Sequence, residues 1–184
     1  MSTPMRLLAH LSLILMVFVA IPSAATQVEY RSVERLGVEA AVVVRGEVSS
    51  VRSFWNESRT RILTETTVRV TDEFKGRAGR EVRIVQLGGQ LDDVRMTVAG
   101  ALEWRAGEDV VLFLENSLPG AYRVSGFSQG KFSVQRDPNS GEEFVVQAGI
   151  GGAELVGASR SFKSERVRLG DLLQRALPQL YEGE

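Results

Sequence analysis

The chain of 184 residues has no cysteine, and its one histidine, His10, lies within the first 25 positions. From residue 26 onward there is neither thiol nor imidazole. That excludes a Ser-His-Asp or Cys-His nucleophile pair, a thiol redox centre and an ordinary zinc site. With no disulfide to form, stability has to come from burial, which a chain of this size can supply. Past residue 25 no apolar run approaches the roughly 20 residues that a membrane-spanning helix requires. A phosphate loop is also missing: Gly149, Gly151 and Gly152 are followed by no Lys-Ser/Thr and sit in no strand-to-helix setting.

What is present begins with an export signal. Arg6 is the only charged residue among the first 25, Leu7 to Ile21 are almost wholly apolar, and Pro22-Ser23-Ala24-Ala25 supplies small residues for a cleavage site. A cut after Ala25 puts Ser23 and Ala25 in the two small-residue pockets, whereas a cut after Ala24 puts Pro22 in the outer one. The expectation is a signal peptide over 1–25, a mature N-terminus at Thr26, and secretion or release into the periplasm without lipid attachment. Residues 26–184 then form one domain of 159 residues carrying 21 basic and 23 acidic side chains, a balance that favours no polyanionic partner.

The dominant rhythm of this domain has period two. Segments 41–51, 62–70, 82–87, 94–98, 109–114, 121–127, 131–136 and 143–147 are rich in Val, Ile, Thr and aromatics and read as strands. Between them lie breakers such as Gly88-Gly89, Pro119-Gly120 and Asp137-Pro138-Asn139-Ser140-Gly141, the last reading as a hairpin loop. Val42, Val44 and Val48 alternate with Arg45 and Glu47, as do Val68 and Val70 with Thr67 and Arg69, which predicts a sheet with one dry and one wet face. Two helices are expected. One is short, capped by Ser32 and weakened by Gly37; the other is amphipathic, with Leu169, Leu172, Leu173, Ala176 and Leu177 on one face until Pro178. Residues 148–161, rich in glycine, read as a mobile loop. The fold class is therefore all-β and mainly antiparallel, a partly open OB-like barrel with a short N-terminal helix and a C-terminal amphipathic helix.

The order AAVVVRGEV, ILTETTVRVTDEFKG, EVRIVQLGG, VAGALEWRAGEDVVLFL and YRVSGFSQGKFSV resembles exported bacterial proteins of mostly unassigned function. Their outline is similar to the OB-type barrel of netrin-like domains and tissue inhibitors of metalloproteinases. The resemblance covers Val38 to Val134, with Phe74-Lys75-Gly76 and Gly107-Glu108 as its most specific pieces. Those inhibitors reach a target's zinc through a disulfide-anchored N-terminal Cys. This chain has none, so that route does not carry over.

Chemistry-bearing groups are sparse. The acidic pairs Asp72-Glu73, Asp92-Asp93, Glu108-Asp109 and Glu142-Glu143 fall at turns or strand ends, where carboxylates commonly serve solubility and turn formation. Ser128 and Lys131, within Phe127-Ser128-Gln129-Gly130-Lys131-Phe132, read as a tight turn rather than a Ser-Lys pair. Arg59, Arg61 and Arg69 with Phe54 and Trp55 offer a nucleic-acid face, but acidic neighbours, export and a pI near 6.0 oppose it. The adjacent aromatics Phe54 and Trp55 are the candidate binding residues, expected in the loop after the first long strand with one ring inward and one accessible. No catalytic residue, cofactor or metal is expected. The function that follows is a non-catalytic extracytoplasmic interaction module whose expected partner is an unidentified protein of the secreted-protease or cell-envelope class. Its alternatives are a carboxylate-only hydrolase and a carrier of a small apolar ligand.

Overall fold

The computed structural model describes residues 27–149, 154–157 and 166–181. The signal segment and the cleavage site at Ala25 lie outside the described residues. Five strands build a barrel: β2 (Val42–Trp55), β3 (Ile62–Lys75), β4 (Glu81–Leu87), β7 (Asp109–Asn116) and β8 (Tyr122–Val124). Strand β2 lies between β3 and β7, β3 pairs with β4, and β4 meets β8, which returns to β7. All of these pairings are antiparallel except β4 with β8, which run parallel. This closed Greek-key circuit is the OB-like arrangement expected from the strand pattern. The barrel expected to be partly open is closed, but by one registered pair only, Ile84 with Tyr122.

Beyond the barrel the sheet continues through β9 (Lys131–Arg136), β10 (Glu143–Gln147) and β12 (Arg166–Arg168). Strand β7 makes this possible because one of its edges is shared, its first half pairing with β9 and its second half with β8. The loop Asp137–Gly141 joins β9 to β10 as a hairpin; Asp137 N–H donates to the Glu142 carbonyl at 2.8 Å and Gly141 has φ 73°. A small hairpin, β5 (Gly89–Leu91) and β6 (Val94–Met96), turns at Asp92-Asp93. Strand β1 (Gln27–Glu29) pairs in parallel with β11 (Glu154–Val156), so part of the stretch read as a mobile loop is a strand.

The expected helices are present as α1 (Val33–Glu39) and α2 (Leu169–Ala176). Ser32 Oγ accepts from Arg35 N–H and starts α1. At its far end Lys75 Nζ donates to the carbonyls of Gly37 (2.8 Å) and Val38 (3.0 Å), so a cation from β3 satisfies groups that the helix leaves open. Phe74 packs against the core beneath the helices, and Gly76, at φ 70°, lets the chain pass close to the Ala41 carbonyl. Phe74-Lys75-Gly76 is thus a joint between β3 and α1.

There are two cores. Val42, Val44, Val48, Val68, Ile84, Val110, Leu112 and Leu114 fill the barrel interior. Val43, Val111, Phe113, Phe132 and Val145 face the other way and pack under Leu36, Leu172, Ala176 and Leu177 of the helical layer. Strands β2 and β7 are therefore dry on both faces where the helices lie, which corrects the expectation of a wet outer face and explains the unbroken apolar run Val110–Leu114. Phe113 and Phe132 meet edge to face at 5.6 Å.

Candidate functional site

Past the Ile84–Tyr122 pair the parallel strands β4 and β8 part, and the split seam opens as a groove of about 380 Å³. Val85, Gln86 and Leu87 form one wall. Val124, Gly126 and Phe127 form the opposite one, and Val98, Gly100, Ala101 and Leu102 close the base. Gln86 ties base to wall, donating from Nε2 to the Leu102 carbonyl at 2.8 Å and accepting from Trp104 Nε1 at 3.3 Å. The lining is mainly apolar, and Leu87 and Phe127 stand 40% and 54% exposed at its mouth. A groove of this size and composition suits an apolar group.

Phe127 has φ 65°, a conformation that costs a non-glycine residue energy and is held only when its surroundings dictate it. They do so here. Gln129 is fully buried, with Oε1 accepting from Arg31 N–H at 2.9 Å and Nε2 donating to the carbonyls of Glu29 (2.9 Å) and Gly126 (3.1 Å). Gly130 packs so closely that a Cβ there would lie 2.9 Å from the Phe113 and Ser125 carbonyls. With the turn anchored on both sides, the Phe127 ring is left at the groove mouth.

One end of the groove is charged. Glu115 Oε1 accepts from Arg31 Nη1 at 2.8 Å, and its Oε2 accepts from Arg123 Nη2 at 2.8 Å and Nε at 3.0 Å. Arg31 Nη1 also meets Glu39 at 2.7 Å. Burial opposes ionisation of Glu115, but the hydrogen bonds from Arg123 and Arg31 outweigh it, so its carboxyl titrates below the ordinary range. Of the groove-lining side chains, then, two are guanidiniums and one is a carboxylate already held between them.

The candidate aromatics lie elsewhere and not in a loop. Phe54 and Trp55 are the last residues of β2, paired with Leu63 and Ile62. Trp55 shares the face of the buried Ile62, while Phe54 takes the opposite face, where the Arg52 guanidinium lies 5.5 Å from its ring centroid. Both rings are half-buried. The loop that follows is built around Asn56, whose Oδ1 accepts from Thr60 N–H and Arg61 N–H at 2.8 Å each.

Most members of the acidic pairs have structural partners. Glu73 accepts from the N–H groups of Ala78 (2.6 Å) and Gly79 (2.9 Å), which hold its carboxyl below the ordinary range. Arg45 is bidentate to Asp109 and reaches both oxygens of Glu143, linking β2, β7 and β10. Hydrogen bonds from Arg45 and Arg136 pull the Glu143 carboxyl down to about 2. Glu108 holds Lys131 at 2.8 Å and accepts from Ser133. Lys131 also donates to the Glu103 carbonyl at 2.7 Å and sits 4.6 Å from the Trp104 ring centre. Ser128 Oγ is buried without a hydrogen-bond partner among the described residues, so Ser128 and Lys131 form no nucleophile–base pair. Asp92 and Asp93 are the exposed turn between β5 and β6, with Asp92 at φ 52°.

Among the described residues no cluster of three or more His, Cys, Asp or Glu is placed to hold a metal ion, and no helix is long and apolar enough to cross a membrane. Fold and groove together define an all-β barrel protein with an apolar cleft at its parallel seam. No protein-family model matches the chain, and no curated protein matches its sequence.

The groove was not legible in the sequence because its walls come from segments far apart in the chain. The one available signal was Phe127, an aromatic between turn residues, which the strand pattern had absorbed into segment 121–127.

Proposed function

We propose that the protein is a non-catalytic extracytoplasmic binding module that receives an apolar side chain of a partner protein in the groove between β4 and β8. The observation carrying this reading is the mainly apolar cleft with Leu87 and Phe127 at its open mouth and a single carboxylate inside, already held by two arginines. Hydrolysis by carboxylates alone needs two of them flanking a substrate, and the groove lining offers one. A carrier encloses its ligand, whereas this cleft leaves its largest apolar side chains at the surface. The Sec-type signal read from residues 1–25 supports a partner outside the cytoplasm, with a secreted protease or an envelope protein as the class proposed. The netrin-like resemblance remains part of the proposal for the barrel alone, without the zinc-directed route.

A photo-crosslinking residue at position 127 of the exported protein tests the reading. Capture of a polypeptide that is lost with Leu87→Asp is the expected result. Crosslinks confined to lipid, or capture unchanged by Leu87→Asp, would overturn it.

A further inference from the structure

The groove has a second property besides its apolar lining: one wall is the edge of β4, and the other begins with the end of β8 at Val124. Gly88 N–H donates to the Ile62 carbonyl, in register with the Leu63–Leu87 pair, so alternation along β4 turns the main-chain groups of Val85 and Leu87 away from β3 and toward the seam. The Val85 N–H serves the parallel pairing with Tyr122, so the Val85 C=O and the N–H and C=O of Leu87 are the groups that face the groove. On the other wall Ser125 N–H donates to the Phe113 carbonyl, which turns Val124 toward the seam in the same way. The registered β4–β8 pairing stops at Ile84 and Tyr122. Strand edges beside an apolar cleft are the setting for strand addition, in which main-chain bonds supply affinity and alternate side chains fill pockets.

Charge narrows the occupant further. Arg123 is 63% exposed, and its contacts with Glu115 use Nε and Nη2, leaving Nη1 outside them. Arg31 likewise reaches Glu115 and Glu39 through Nη1 alone. The groove end therefore has guanidinium donors to offer a further carboxylate.

We propose that the groove takes an extended segment of a partner protein as an added strand on the β4 edge, with one apolar side chain between Leu87, Val98 and Phe127 and a neighbouring carboxylate on Arg123. This rests on the binding reading above and specifies the partner's chemistry. An acyl chain has no use for the strand edges, whereas a polypeptide pairs with them.

The test uses the exported protein and a fluorescent pool of acetylated, amidated heptapeptides with apolar residues at alternate positions and one Glu. The same pool is made with alternate backbone nitrogens methylated, and again with Gln for Glu; decanoate is the fourth probe. The proposal expects the first pool to bind and backbone methylation to weaken it about tenfold or more, since two main-chain hydrogen bonds are lost. It also expects Arg123→Gln to weaken the Glu pool about fivefold more than the Gln pool, the Gln pool serving as the reference for what the lost Arg123–Glu115 pair costs the fold. Equal binding of the methylated pool would overturn strand addition and leave the binding reading intact. Decanoate binding without peptide binding would overturn both. No binding by any probe would overturn the strand proposal, and crosslinking from position 127 would then decide the broader reading on its own.

Discussion

Gly37 lies within α1, and helix propensity alone says that alanine there should stabilise the protein by about 1 kcal/mol. Tertiary packing says the opposite. A Cβ on Gly37 would collide with the carbonyl oxygen of Ala176 and lie 2.7 Å from its carbonyl carbon. The obstacle is backbone, not a side chain that can swing aside. Making room means parting α1 from α2, and Leu36, Ala40, Leu172 and Ala176 are all nearly fully buried in the core that they share. Overpacking costs about 1–3 kcal/mol, and a collision with backbone lies at the upper end of that range, so Gly37→Ala should destabilise by about 2 kcal/mol after the propensity gain is credited. Gly170 in α2 is the control, because a Cβ there meets nothing within 4 Å. Gly170→Ala should therefore stabilise by about 0.5–1 kcal/mol. Equilibrium urea unfolding at 25 °C gives both differences, with unchanged m-values confirming that the same transition is compared. A Gly37→Ala protein as stable as the wild type or more so would refute the close-packing argument, whatever Gly170→Ala does.

Glu143 is held at about 2, so its contribution is fully present above the unfolded carboxyl range near 4.5 and is lost as pH falls toward 2. With its side chain 23% exposed and solvent screening allowed for, that amounts to about 1–2 kcal/mol, and Glu143→Gln should flatten the stability-against-pH curve between about pH 5 and 2. Glu108→Ala should cost about 3 kcal/mol because it leaves the Lys131 ammonium, 5% exposed, without its counter-ion. Lys131→Met should cost less, since Glu108 keeps Ser133 and partial hydration; thermal unfolding ranks the two, and the reverse order would contradict the burial argument. For the candidate aromatics, Trp55→Ala should lower the unfolding midpoint more than Phe54→Ala, as Trp55 shares the face of buried Ile62. If the Phe54 face is a contact, the double substitution should also cost partner affinity by more than about 2 kcal/mol, and equal partner recovery with an unchanged midpoint would remove both residues from consideration.

The strands of the barrel and the helices could be read directly from the sequence, because alternation and the 3.6-residue period are local consequences of which side chains must leave water. The absence of thiol and imidazole past residue 25 likewise excluded whole classes of chemistry without any coordinates. Three things needed the tertiary structure. The short strands β1, β5, β11 and β12 have little periodicity of their own and exist through their partners, as with Gln27 beside Glu154. Gly37, legible only as a weak spot in a helix, is where two helices touch. The groove arises where β4 and β8 stop pairing, and it gathers Arg31, Leu87, Val98, Glu115 and Phe127 from positions that no local pattern connects. Local sequence determines which segments bury a face, while the closure of a barrel determines which edges remain open, and that depends on pairings between residues distant in the chain.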